Sequence, residues 1–323
     1  MKKAISVLLA FGFVLQLSLF SSFAVTKVPV KSITLSPTSI SWAVGNVGTI
    51  KATVAPSTAT NKAVSWTSSN AAIAMVDSTG KVTAVNTGSA TITCTAKDGS
   101  GKKAVCKATI TVPKTIAQIV TLYNNFANNT KSYKGTITVS GSQGTSTKII
   151  SATGGKLVVD LAQKMVPNNY GKIATKTFKN GVQVGGTTTL KTTLPCDDHA
   201  TASTLEPSGV KSATCTKVST GWKVFITLKA ETTNDLNTVP RYHGECMDTV
   251  SITAADLKPF TLVSAQVVYT DKSTISAVAN SKGLLNNISI YEPDHLTGVL
   301  KYSFIKVNAV LDGTWQQYLT FKY

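Results

Sequence analysis

A single arginine, Arg241, stands among 32 basic residues, and only 15 acids oppose them, leaving a formal net charge of +17. Arginine is the side chain that reads phosphates and base edges bidentately, so its scarcity argues against a nucleic-acid partner. Histidine is equally sparse: His199, His243 and His295 are the only three, each in a polar, loop-like context. Neither a G-x-S-x-G elbow nor a phosphate-cradling glycine loop occurs, so no enzyme and no cofactor is expected. After the first two dozen residues no apolar run is long enough to cross a bilayer. The lysines gather between Lys97 and Lys191, where Asp98 and Asp160 are the only acids. Such a balance suits diffuse attraction to anionic wall polymers or acidic glycans, or a solvated surface that keeps the protein soluble.

The chain starts with a short basic head, Met1-Lys2-Lys3. An apolar run from Ala4 to Phe20 and a small-x-small site at Ser22-Phe23-Ala24 follow. This is the pattern of a secretory signal peptide over residues 1–24. A membrane anchor is the rival reading, but the cleavage site favours removal. No stable membrane insertion is then expected, and the mature protein is expected outside the membrane, secreted or held non-covalently at the cell surface.

The stretch Val64 to Val112 carries short alternating runs of Val, Ile, Thr and Ala, each closed by Gly, Asn or Asp. That is how a meander of half-buried antiparallel strands is written. Asp77-Ser78-Thr79-Gly80 reads as a turn joining Ile73–Val76 to Val82–Val85, and Asn86-Thr87-Gly88 leads into the most regular strand. Trp66, Ser68-Ser69-Asn70, Ile73-Ala74-Met75-Val76, Gly80-Lys81-Val82-Thr83-Ala84 and Gly88-Ser89-Ala90-Thr91-Ile92 follow in order. In this order they resemble the bacterial immunoglobulin-like domain, group 2, over about residues 28–112. The resemblance implies a seven-stranded sandwich on a secreted or surface protein, used as a spacer, adhesive module or carbohydrate-associated domain. It implies no shared catalytic site. Trp66 is expected in the core.

Cys94 and Cys106 fall on core-facing positions of adjacent strands. If Asp98 pairs with Lys102, the two thiols stand opposite each other, and a cross-strand disulfide is expected in an oxidising compartment.

Beyond Val112-Pro113-Lys114 the period changes. Ile116, Ile119, Val120, Tyr123, Phe126 and Ala127 recur at helical spacing, with Asn128-Asn129 as the stop. Strands follow: Gly135–Val139 with Lys148–Ile150 as a hairpin, Lys156–Leu161, and Ile173–Phe178 with Val182–Leu190 around Lys179-Asn180-Gly181. Then come Ala213–Val218 with Trp222–Leu228, and four or five more strands from Thr261 to Tyr323. The expected fold is mainly β: an immunoglobulin-like sandwich, then an α+β domain over residues 115–323 with one helix on a curved antiparallel sheet.

Within this second part, Cys196, His199, His243 and Cys246 have the residue types of a zinc site, although the spacing between the pairs is unusual. A disulfide between two of Cys196, Cys215 and Cys246 is the plainer expectation. Glu292 and Asp294 have the residue types of a glycosidase carboxylate pair, but they flank Pro293 in what reads as a turn. Trp222, Trp315, Tyr291, Tyr302 and Tyr318 are candidate sugar-stacking aromatics, and Trp222, just after a turn, is the preferred surface ligand-binding residue. Together these features point to a non-enzymatic extracellular protein that binds cell-wall polymers or host glycans. A lipid carrier and a glycan-cleaving enzyme are the alternatives.

Overall fold

A computed structural model describes residues 26–164, 166, 168–194, 202–249 and 257–323. The expected signal peptide at residues 1–24, together with Cys196 and His199, lies outside the described residues. The architecture is mainly β.

The first unit holds nine short strands among the described residues: β1 (Ser32–Ser36), β2 (Ser39–Ala43), β3 (Val47–Thr49), β4 (Lys51–Ala55), β5 (Val64–Ser68), β6 (Ala74–Val76), β7 (Lys81–Ala84), β8 (Gly88–Ala96) and β9 (Lys103–Thr111). They form a sheet in the order β2-β9-β8-β5, a ribbon β3-β7-β6 and a pair β1-β4. All nine enclose a core in which Ile50, Ala74, Val82, Ile92, Cys94 and Cys106 are fully buried.

The motif residues explain themselves in atomic terms. The Asp77 carboxylate accepts from Thr79 N at 2.8 Å and from Lys81 N at 3.1 Å, closing the turn between β6 and β7. Gly80 then adopts φ +84°, and a Cβ there would meet Ile50 O at 2.6 Å and the Trp66 ring at 2.8 Å. Glycine is required twice over, by conformation and by the tryptophan lying on it. In Ser68-Ser69-Asn70, the Ser68 hydroxyl accepts from Asn70 N and the Ser69 hydroxyl accepts from Thr91 N at 2.9 Å, pinning this turn to β8.

The β8–β9 register differs from the expected one. Cys94 stands opposite Ala104 and Cys106 opposite Ile92. The shift originates in the turn: Asp98 does not pair with Lys102 but folds inward and accepts from Val30 N at 2.6 Å and Ser100 N at 2.9 Å. The Ser100 side chain first, and then these backbone hydrogen bonds, hold its carboxyl down at about pKa 2. The cysteines become diagonal neighbours, whose side chains sit farther apart than the roughly 4 Å between Cβ atoms that a disulfide needs. The expected Cys94–Cys106 bond is therefore not formed, and both are buried free thiols.

Helix α1 (Ile116–Lys131) starts at a capping box in which Thr115 and Gln118 satisfy each other's backbone N–H groups. It runs past Asn128-Asn129 to Lys131 because Thr130 is buried and accepts from Leu285 N at 2.9 Å, so the packing carries the last turn. Its Leu122 rests on Gly45 of the sandwich, and Asn125 donates to Gly45 O at 2.6 Å. The other face of α1 covers a ten-stranded antiparallel sheet.

That sheet contains β10 (Thr136–Ala152), β11 (Gly171–Lys179), β12 (Val182–Gln183), β13 (Val210–Val218), β14 (Gly221–Leu228), β15 (Glu231–Thr233), β16 (Thr261–Tyr269), β17 (Thr274–Asn280), β18 (Leu285–Tyr302) and β19 (Ile305–Lys322). The main order is β12-β11-β10-β19-β18-β17-β14-β13, with β16 on β18 and β15 on β16. The Asn180-Gly181 hairpin forms as expected, with φ of 54° and 83°. The hairpin read into residues 135–150 does not form; the segment is one 17-residue strand. Its Gly141 and Gly144 are not turn residues: a Cβ on either would strike the backbone of Tyr318 or of Asn169-Tyr170. Residues 156–161, read as a strand, belong to helix α2 (Lys156–Gln163). Gly154 and Gly155, at φ +106° and +74°, end the strand, and the amide of Gln163 ties the helix back to β10. Glu292-Pro293-Asp294, read as a turn, lies inside the continuous β18.

Candidate functional site

One face of the large sheet is closed by α1 and the other is open. Side chains alternate along each strand, so the register determines which residues share the open face. Lys172, Ser142, Tyr318, Ser289, Ser276, Phe225 and Thr214 stand in one continuous cross-strand row over β11, β10, β19, β18, β17, β14 and β13. The rows on either side run Gly144, Gln316, Tyr291, Thr274, Thr227, Ser212 and Ser140, Thr320, Asn287, Val278, Lys223, Thr216. These three rows carry hydroxyls, amides, lysines and aromatic rings, and no carboxylate.

The aromatic rings on this face are partly open to solvent: Tyr318 is 41% exposed, Tyr291 40%, Phe225 41% and Tyr170 55%. Tyr291 and Tyr318 are diagonal neighbours, about 7 Å apart in such a ladder. Phe225 lies three strand spacings from Tyr318, roughly 14 Å. Tyr170 is held over β10 by a 2.7 Å hydrogen bond between its hydroxyl and that of Ser142. Beside it a recess of about 560 Å³ is lined by Ser140, Gly141, Ser142, Tyr170, Gly171, Lys172, Ile173 and Thr175. Gly141 gives this recess a floor without a side chain.

Tyr291 and Tyr318, of the aromatics singled out in the sequence, reach this face. Trp222, the preferred surface residue, does not: it is 2% exposed and packs with Val224, Ile226 and Leu228 on the covered face of β14. The turn before it is exposed, but strand alternation turns Trp222 itself inward. Trp315 also points to the covered face, opposite Glu292, and the side chain of Tyr302 lies outside the described residues. Tyr170 and Phe225 escaped the sequence reading, because which face a residue occupies depends on long-range register.

Behind the open face lies a buried polar centre. The ladder is interrupted at the same level in three neighbouring strands: between β14 and β15 at Lys229-Ala230, between β16 and β17 at 270–273, and at Glu292-Pro293, where β18 changes partner from β17 to β16. His243, on the short helix α3 (Arg241–Gly244), fills this crease. Its Nδ1 is 2.8 Å from Glu292 Oε1 and its Nε2 donates to Lys229 O at 2.9 Å. Both His243 and Glu292 are fully buried. The Glu231 carboxylate accepts from Tyr242 N and His243 N, each at 2.8 Å, and so holds the start of α3 in place.

Burial works against a charge on His243, but the hydrogen bond and the negative charge of Glu292 outweigh it and raise its pKa. Since Lys229 O can only accept, Nε2 carries a proton, and the Glu292 carboxylate beside Nδ1 favours a second one there. Asp294, two residues along the same face, is raised to about 7 by burial and then by Glu292. Both ring nitrogens of His243 are thus engaged within the protein, and Cys196 and His199, two other residues of the less favoured zinc reading, fall outside the described residues. Cys215 stands opposite Val224 on β14 as a free thiol, its pKa pushed up to about 11 by burial. Glu292 and Asp294 project into the covered side of the sheet, where Glu292 has no exposed surface with which to flank a glycosidic bond.

Residues 29–108 match the family described as bacterial Ig-like domain (group 2). The sandwich is a bacterial Ig-like domain. Its relatives include an uncharacterized protein of Clostridium acetobutylicum, 41% identical over 25% of this chain and 8% of its own length. An Ig-like virion protein of Serratia phage KSP90 is 44% identical over 26% of this chain and 32% of its own. A second uncharacterized C. acetobutylicum protein is 37% identical over 21% of this chain and 17% of its own. The chain thus spans at most about a third of the length of these curated relatives. Among the described residues, no helix is long and apolar enough to cross a membrane.

Proposed function

We propose that this is a non-enzymatic glycan-binding protein of the cell exterior, with the Ig-like domain as spacer or adhesive module and the open face of the large sheet as the binding surface. The observation that carries this reading is the row from Lys172 to Thr214, in which Tyr318 and Phe225 rise from a floor of serine and threonine hydroxyls. Aromatic faces stack on the apolar faces of sugar rings, and the hydroxyls and amides between them exchange hydrogen bonds with sugar hydroxyls. Tyr291 and Tyr170 widen the platform, so a chain of several sugar units fits across it. Carboxylates are missing from these rows, which favours binding over hydrolysis. Lys172 and Lys223 bias the face toward cell-wall polymers or acidic host glycans. The lipid-carrier alternative has less support, because Trp222, Tyr123 and Phe178 occupy the space between helix and sheet.

The test is a glycan array and a wall-polysaccharide pull-down with Tyr318→Ala and Tyr170→Ala. Each substitution is expected to weaken binding on the order of three- to tenfold, at 0.5–1.5 kcal/mol per stacked ring. The fold should persist in both variants, since each ring is about half exposed. Full-strength binding by the double variant would refute the assignment of this face.

A further inference from the structure

The far end of the large sheet carries an apolar projection that the fold itself does not use. There β18 and β19 join in a two-residue loop, Ser303-Phe304, with Tyr302 paired to Ile305. Ser303 takes φ 53°, and the Phe304 side chain extends away from the protein at 87% exposure. Ile305 beside it is 51% exposed, although Val307 and Ala309, farther along the same face of β19, are buried. Two more apolar side chains open at this end. Val263, in the bulge of β16 against Leu262-Leu300 and Ser264-Val299, is 51% exposed. Leu157 is 81% exposed in the first turn of α2, and the preceding Thr153, which donates its N–H to Asn308 O at 2.9 Å, brings that turn to the same end.

Among the described residues, the charges around this projection are mainly those of lysines. Lys301 and Lys306 face each other directly across the ladder, immediately behind the loop. Like charges directly opposite destabilise a strand pair, so folding alone gives no reason for this arrangement. Lys258 and Lys156 lie at the same end, and Asp160, bound to Lys156 at 2.6 Å, is the acid beside them among the described residues.

We propose that this tip inserts into the headgroup region of an anionic lipid bilayer, with Phe304 and Ile305 as the wedge and Lys301 and Lys306 on the lipid phosphates. The shape selects a membrane over other partners. A protruding loop has no recess to enclose a peptide or a sugar, and pairing with a second copy would bring two lysine pairs together. A bilayer offers an apolar layer beneath an anionic one, in the order in which the loop and the lysines meet it. The chain would lie on the membrane through this tip and not span it.

The experiment is co-sedimentation of the full chain with vesicles of phosphatidylglycerol and phosphatidylcholine, and with phosphatidylcholine alone. Binding is expected on the anionic vesicles and to weaken with added salt. Phe304→Ser should reduce it on the order of tenfold or more, and Lys301→Gln or Lys306→Gln about fivefold each. Phe304→Trp should keep binding and show a blue-shifted emission component quenched by brominated acyl chains. The inference is overturned by equal binding to neutral vesicles, by a Phe304→Ser variant that binds as the parent does, or by a Phe304→Trp variant whose loop indole is left unquenched. It is equally overturned if Phe304 supports dimerisation in sedimentation velocity with no vesicle binding. Melting curves that match the parent's show that these exposed substitutions leave the fold intact.

Discussion

Replacing Glu292 with glutamine isolates the charge that holds His243 in the crease of the sheet. Glutamine removes the negative charge that stabilises the imidazolium and can turn its amide N–H toward the Nδ1 of a neutral ring whose proton stays on Nε2. A hydrogen bond to a charged group contributes about 1.5–3 kcal/mol, and that range is the expected loss at pH 6. Truncation to alanine would instead remove the counter-charge and the partner of Nδ1 together and cost about 3–5 kcal/mol. The pH dependence is more diagnostic. His243 and Asp294 both have folded-state pKa values raised above their ordinary ones, Asp294 from 3.8 to about 7. A raised value means that the folded state binds the proton more tightly. The stabilisation is then complete below the unfolded pKa and is lost as pH rises through the folded one. For Asp294 the slope approaches 1.4 kcal/mol per pH unit, so about 2 kcal/mol is lost between pH 5 and 7. His243 adds to the same trend at higher pH. In Glu292→Gln, burial prevails at His243 and its pKa falls, while Asp294 keeps the shift due to burial and loses the part due to Glu292. The stability–pH curve from urea titrations at pH 5, 6, 7 and 8 should therefore be shallower than the parent's. Imidazole resonances of His243 should report a protonated ring at pH 6 in the parent and a neutral one in the variant. A parent His243 already neutral at pH 6, or an unchanged slope in the variant, would refute the reasoning.

Trp222→Ala should cost about 3–5 kcal/mol by urea denaturation, because the indole is fully packed, with no fall in glycan affinity beyond that due to unfolding; a stable variant with lost binding would return Trp222 to the surface. Gly80→Ala should lower stability by about 2 kcal/mol or more, from the left-handed backbone and from the contact with Trp66 and Ile50 O, read as a fall in melting temperature. Thiol alkylation of non-reduced protein should leave Cys94 and Cys106 slow to react when folded and modify both fully in denaturant, and a crosslinked peptide pair in the digest would contradict the observed register.

The local parts of the fold were legible in the sequence because local chemistry writes them. The Asp77 to Gly80 turn, the Asn180-Gly181 hairpin and the α1 period each depend on residues a few positions apart. The long strands β10, β18 and β19 were not legible, since each contains a Gly or Pro cluster that marks a turn in isolation. Gly141 and Gly144 are glycine because other backbones press on them, and Pro293 is tolerated because β18 changes partner at that point. The same limit hid the candidate site. Tyr318 and Tyr291 could be named, but their meeting with Phe225 and Tyr170 on one face is fixed by the pairing of β10, β19, β18, β17 and β14. The Cys94–Cys106 expectation failed by two residues of register because Asp98, which looks like an ordinary turn former, is bonded to Val30, 68 positions away.

The crease connects these features. Interrupting β14–β15 and β16–β17 leaves the carbonyl of Lys229 to be satisfied from outside the ladder, and a buried carbonyl left without a donor costs about 1–3 kcal/mol. His243 supplies that donor, and because its other nitrogen needs a counter-charge, Glu292 occupies a strand position where an apolar residue would otherwise stand. The cluster is thus accounted for by the interrupted ladder, without any substrate. The interruption divides the sheet into a near part closed by α1 and a far part with its own small core of Leu236, Ala265, Val267 and Tyr269. The aromatic face belongs to the near part and the Phe304 tip to the far one. Loosening the crease at high pH should therefore change their relative orientation before either part unfolds.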